Sequence, residues 1–183
     1  MLGIPIIDFC AMSDESLAIM DERRSVKSNL LRTGPMSGAI AAEVRTIKCA
    51  VASIFDVEVM ASSDGIDNLM YSKNLCAELV YENQGDYVLS MDSESAIEWF
   101  GSRKIGERSK HLELKCFKCR HMVQEGLVKQ VFVDGELNTS DIISKVVGAQ
   151  LHSFHARDML GHKLVGDLQI IGVIKEASDS ESI

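Results

Sequence analysis

The hydrophobic pattern of this chain predicts strands first and helices afterwards. The apolar run that opens at Ile4-Pro5-Ile6-Ile7 and continues to Met12 reads as a buried strand, followed by an acidic turn around Ser13-Asp14-Glu15-Ser16. Arg23-Arg24-Ser25 leads into a second strand around Leu30 to Arg32, and the segment from Thr33 to Gly38 is a turn rich in Gly and Pro. Ala39 to Val51 is β-rich, with loose alternation of Ile40, Ala42, Val44 and Thr46. The period then changes. Ser53-x-x-Asp56 has the spacing of a helix capping box, and Val59, Ile66, Leu69, Cys76 and Val80 form one apolar helical stripe with Glu58 just ahead of it. Tyr87 to Met91 reads as a short buried strand that ends in Asp92, and Ser95 to Phe100 as a short helix. A second long helix runs from about Ser109 to Glu125 and stops at Gly126, and Leu127 to Val133 alternates as a strand. Asn138-x-x-Asp141 opens a third helix carrying Ile142, Val146 and Val147.

This order of strands, helix, strand, helices, strand and helix predicts a mixed α/β (α+β) domain without internal repeats. The domain occupies residues 1–163. Residues 164–183 follow it as an apolar segment, Leu164 to Ile174, and an acidic Ser/Asp/Glu tail. At 183 residues, 46% apolar and 25% charged, with 2 Pro and 13 Gly, the chain is neither disordered nor collagenous nor of low complexity. A chain this long buries about 70% of its unfolded surface and needs no disulfides. The longest apolar runs are about half the roughly 20 residues of a membrane span, so no span is expected. The first residues lack the basic region of a secretory signal and the Arg-rich character of a transit peptide. The cysteines, at 10, 49, 76, 116 and 119, are odd in number and lie in apolar neighbourhoods, as suits an intracellular, reducing compartment.

The net charge is −8, unfavourable for holding a polyanion, but it is unevenly spread. Arg103, Lys104, Arg108, Lys110, Lys115, Lys118, Arg120 and Lys129 face only Glu107, Glu113 and Glu125 over the same stretch. Four acids stand out by position: Asp14 after the first strand, Glu58 early in a helix, Asp92 at the end of a strand and Asp141 at the start of a helix. Such carboxylates can converge on one edge of a sheet, where they repel one another unless cations bind between them. Hard oxygen donors select Mg²⁺ or Mn²⁺, and two such ions about 4 Å apart support phosphoryl displacement. His111, Cys116, Cys119 and His121 are not read as a zinc site: on a helix both cysteines join the apolar stripe of Leu112 and Val123, while His121 falls on the opposite side. His152, His155 and His162 share a face of a C-terminal helix and are expected to form a polar or partner-facing stripe. No nucleophile elbow, Walker loop or dinucleotide fingerprint is present.

Met91-Asp92-Ser93-Glu94-Ser95-Ala96-Ile97 resembles the C-D-N-Q-S-A-I motif of copia-type retrotransposon ribonuclease H domains. Ser109-Lys110-His111-Leu112-Glu113-Leu114 is similar to their T-K-H-I-D-I, and Ser140-Asp141-Ile142-Ile143-Ser144-Lys145 to their A-D-I-L-T-K. Ser13-Asp14, Arg23-Arg24-Ser25 and the segment from Val51 to Glu58 match further family positions, so the resemblance runs from about Asp14 to Gly161. It implies a ribonuclease H-like fold, a five-stranded mixed sheet flanked by helices. It also implies that Asp14, Glu58, Asp92 and Asp141 are the metal-binding acids of two-ion hydrolysis of the RNA strand of RNA–DNA hybrids. Arg103, Lys104, Arg108, Lys110, Lys115 and Lys118 would then face the phosphates of the hybrid. The four carboxylates should converge, and any one of them lying far from the others or salt-bridged to a Lys or Arg would count against the metal site. Ser93 and Glu94 replace the family's Asn and Gln, and the loop before Asp141 has no His. These changes and the net charge suit the alternative reading, a domesticated, non-catalytic structural or adaptor subunit of a larger assembly. Leu164, Leu168, Ile170, Ile171 and Ile174 lie beyond the resemblance and are expected to bury against a partner chain.

Overall fold

The computed structural model describes residues 7–16, 24–34, 37–48, 51, 53–79, 81, 85–102 and 113–162. Five strands, β1 (Phe9–Ser16), β2 (Val26–Arg32), β3 (Ala39–Thr46), β4 (Tyr87–Met91) and β5 (Lys129–Phe132), form one sheet in the order β3-β2-β1-β4-β5. The first three pair antiparallel; β4 and β5 add in parallel on the other side of β1. Parallel neighbours need long crossovers, and the helices supply them: α1 (Ile54–Glu78) before β4, then α2 (Glu94–Gly101) and α3 (Glu113–Gln124) before β5. The five-stranded mixed sheet with helices is the fold implied by the motifs.

Local chemistry places the helix ends. Ser53 caps α1, its Oγ accepting from the Asp56 amide at 3.2 Å, as the capping spacing predicts. Gly126, at φ +68°, closes α3 in a backbone conformation that costs glycine nothing. The stripe residues Val59, Ile66 and Leu69 of α1 are fully buried against Ala11, Leu31 and Leu89 of the sheet. Gly65 lets α1 approach closely: a Cβ there would stand 2.8 Å from both Asn29 Oδ1 and Leu89 Cδ1. Cys116 and Cys119 of α3 lie in this core and His121 is exposed, so the three side chains diverge. Burial pushes the Cys119 thiol up to about 12, far from a thiolate ligand.

Three expectations are corrected. The acidic segment Ser13–Ser16 is strand, not turn, because its backbone pairs with β2 from Cys10↔Arg32 to Ser16↔Val26. The helix opened by Asp141 is a single turn, α4 (Asp141–Ser144): Lys145 leaves it in extended conformation, and Val146 is fully exposed. On the last helix, α5 (Ala149–Met159), His155 is fully buried while His152 is exposed and His162 lies beyond the helix, so the three histidines share no polar face. No helix of the described residues is long and apolar enough to cross a membrane. Residues 164–183 lie outside the described residues.

Candidate active site

Parallel pairing of β1 with β4 puts their C-terminal ends together. Met12 stands opposite Ser90, so Asp14 and Asp92, each two residues further on, emerge side by side. The third acid arrives on a buried polar turn. Asn138, Thr139 and Ser140 are at most 1% exposed. Asn138 Nδ2 donates to the Ser13 carbonyl at 3.0 Å, and Ser28 Oγ donates to the Ser140 carbonyl at 3.2 Å. These bonds fasten the start of α4 to β1 and β2 and bring Asp141 beside Asp14. Carboxylate oxygens of Asp14, Asp92 and Asp141 all lie within 4.8 Å of one another, the one such acidic group among the described residues.

Glu58 is placed by α1 in a small recess shared with Asp14, Glu15, Asp92 and Ser93. Ser93 Oγ donates to Glu58 Oε2 at 2.6 Å and accepts from the Ala96 amide as the cap of α2. The residue that departs from the motif therefore orients the second acid. All four sequence-derived acids are at the site, three as a tight group and Glu58 at its side.

The charges are strongly coupled. Burial, then the Asp14 carboxylate, raises the pKa of Asp92 and of Asp141. Burial also raises that of Glu58, opposed by the Ser93 hydrogen bond and reinforced by Asp92 and Asp14. Glu15 is an additional member: burial, then Asp14 and Glu58, push it up to about 7. Its signal in the sequence was only its place next to Asp14. Among the described residues one cation answers these acids. Lys145 Nζ donates to Asp14 Oδ1 at 2.8 Å and to Asp141 Oδ1 at 3.2 Å, and Ser144 Oγ donates to Asp14 Oδ2. The expectation of acids without a basic partner therefore fails for Asp14 and Asp141. A single ammonium still leaves the carboxylates in excess, and a set of hard oxygen donors from separate segments suits a small divalent cation.

Of the basic residues expected to meet phosphates, Lys118 pairs with Asp67 and Lys115 Nζ lies 3.9 Å from Asp64 Oδ1, both acids on α1. Arg103, Lys104, Arg108 and Lys110 lie outside the described residues.

Comparison with solved structures defines the class: the fold is ribonuclease H-like. The N-terminal RNase H domain of rv2228c from Mycobacterium tuberculosis is similar with a TM-score of 0.55 and 14% identity, covering 82% of this chain and 97% of that one. LC11-RNase H1, solved in complex with RNA/DNA hybrid, gives 0.53 and 16% identity over 72% of this chain and 88% of its own. In sequence, the chain is similar to the retrovirus-related Pol polyprotein from transposon TNT 1-94 of Nicotiana tabacum, a copia-type element, with 27% identity over 128 residues. The match takes in 70% of this chain but spans only 9% of the polyprotein. No family model matches the chain.

Proposed function

We propose that this chain is a retroelement-derived ribonuclease H that cleaves the RNA strand of RNA–DNA hybrids with divalent metal. The observation that carries the reading is the meeting within 4.8 Å of Asp14 and Asp92, from the adjacent parallel strands β1 and β4, with Asp141 at the start of α4, and with Glu58 in the adjoining recess. Asp14, Asp92, Asp141 and Glu58 would hold Mg²⁺ or Mn²⁺. Bound there, such ions supply an activated water and neutralise charge on the leaving 3′ oxygen. The protein's own part is preorganisation: Asn138 and Ser28 fix the Asp141 turn, and Ser93 aims Glu58. The fold of an enzyme bound to an RNA/DNA hybrid supports the same substrate here. Free Cys10, Cys76, Cys116 and Cys119 suit a reducing, intracellular setting.

Purified protein with Mn²⁺ should nick an RNA–DNA hybrid and spare duplex DNA. Asp92→Asn, which removes one charge and keeps the shape, should lower the rate at least 100-fold, on the scale of losing one electrostatic stabiliser. Equal background rates for the two proteins would refute the nuclease and leave the adaptor reading.

A further inference from the structure

Lys145 is a residue of this site that the catalytic reading does not use. It closes α4, four residues after Asp141, and its ammonium lies on two of the three clustered carboxylates, at 2.8 Å from Asp14 and 3.2 Å from Asp141. Asp14 is enclosed, its side chain 1% exposed, and both its oxygens accept bonds from the same turn, Oδ1 from Lys145 and Oδ2 from Ser144. A cation approaching Asp14 and Asp141 therefore meets oxygens already engaged, and meets a positive charge beside them. The Lys145 side chain is 34% exposed, against 1% and 12% for its partners, so it has a path to solvent that they lack. Lysine suits this role: its ammonium is a compact, strongly hydrated charge on a flexible stem and makes no fixed fork with a carboxylate.

We propose that Lys145 is a tethered counter-cation, which holds Asp14 and Asp141 together in the metal-free protein and yields them when a divalent ion binds. It is a positioning residue that sets the metal affinity of the site. The inference rests on the reading of these acids as metal ligands. Three consequences follow from geometry and charge. Without the ammonium, a divalent ion no longer displaces a bonded cation or feels its repulsion. The metal-free protein, in turn, loses the charge that holds two buried carboxylates side by side. In the wild type, metal binding frees the ammonium into water.

Isothermal titration calorimetry with Mn²⁺, on protein stripped with EDTA, should show Lys145→Met binding at least about tenfold more tightly than wild type, about 1.4 kcal/mol. Lys145→Arg, which keeps the charge, should bind no more tightly than wild type. Without metal, Lys145→Met should melt below wild type, and added Mg²⁺ should raise its melting temperature by more. Equal or weaker Mn²⁺ binding by Lys145→Met would overturn the inference and leave the metal site standing. Failure of both proteins to bind Mn²⁺ would remove the metal reading and the inference with it. A direct measurement on the wild type covers the case in which Lys145→Met does not fold. In a ¹H–¹⁵N spectrum of lysine ammonium groups, the Lys145 signal, assigned by its absence in Lys145→Arg, should broaden into solvent exchange as Mg²⁺ is added. A signal unchanged by Mg²⁺ that saturates the site would refute displacement.

Discussion

Removal of Asp158 should destabilise this domain more than loss of any surface charge. Arg32 Nη2 lies 2.6 Å from Asp158 Oδ2, and both side chains are only 3% exposed. The same oxygen accepts from Thr139 Oγ1, which is fully buried. Asp158→Ala therefore strands a guanidinium in the interior and removes the partner of a buried hydroxyl. Breaking one side of a buried pair costs about 3–5 kcal/mol, against the roughly 5–15 kcal/mol that holds a whole domain together. The loss would also reach the site, because Thr139 belongs to the turn that delivers Asp141, and α5 is tied to β2 through this pair.

Urea unfolding followed by fluorescence of Trp99, the single tryptophan, measures the effect; this ring packs on Phe55 and Phe100 and under the Arg120 guanidinium. With a slope of about 2 kcal/mol per molar urea, the midpoint should fall by about 1.5–2.5 M. Replacing both partners, Arg32→Met with Asp158→Leu, should recover much of the loss, since no unpaired charge then remains. A loss below about 1 kcal/mol for Asp158→Ala would refute the reasoning, because only a solvent-screened surface pair behaves in that way.

Gly65→Val should cost about 1–3 kcal/mol in the same assay, since even its Cβ would press on the buried side chains of Asn29 and Leu89; an unchanged midpoint would show that these neighbours or α1 give way freely. In EDTA the acid cluster should make stability fall as pH rises from about 5 to 7. The folded pKa of Glu15 is raised from 4.5 to about 7 and that of Asp141 is also raised, so over this window the folded state binds more protons than the unfolded one, and the slope of stability with pH is negative. Melting temperatures at fixed ionic strength should decline across that range and decline less in Glu15→Gln; a rise would contradict the sign.

The order of elements and the four acids were legible in the sequence because each leaves a local mark. A capping serine, a 3.6-residue stripe and a buried run ending in Asp92 depend only on near neighbours. What escaped depends on pairing. Ser13-Asp14-Glu15-Ser16 has the composition of a turn, and only the ladder to β2 makes it strand and lets Asp14 and Glu15 both reach the recess. Ile142, Val146 and Val147 have helical spacing, but Lys145 turns its backbone out after one turn, which carries its ammonium back over Asp14. The sequence placed the three C-terminal histidines on one helical face, yet His155 packs inside because its turn of α5 also supplies Asp158 to Arg32.

The same distinction explains how so acidic a site survives in the fold. Its acids come from segments that periodicity cannot relate, and their mutual repulsion opposes folding. The opposing bonds are also long-range. Asn138 reaches Ser13 and Ser28 reaches Ser140, while Lys145 and Ser144 reach Asp14. Each joins the Asn138–Lys145 segment to β1 or β2. The Asp14–Asp141 side of the site is thus clamped by the protein itself, and the same polar turn reaches across it, because the Asn138 side chain also hydrogen-bonds Asp92 while Ser93 holds Glu58.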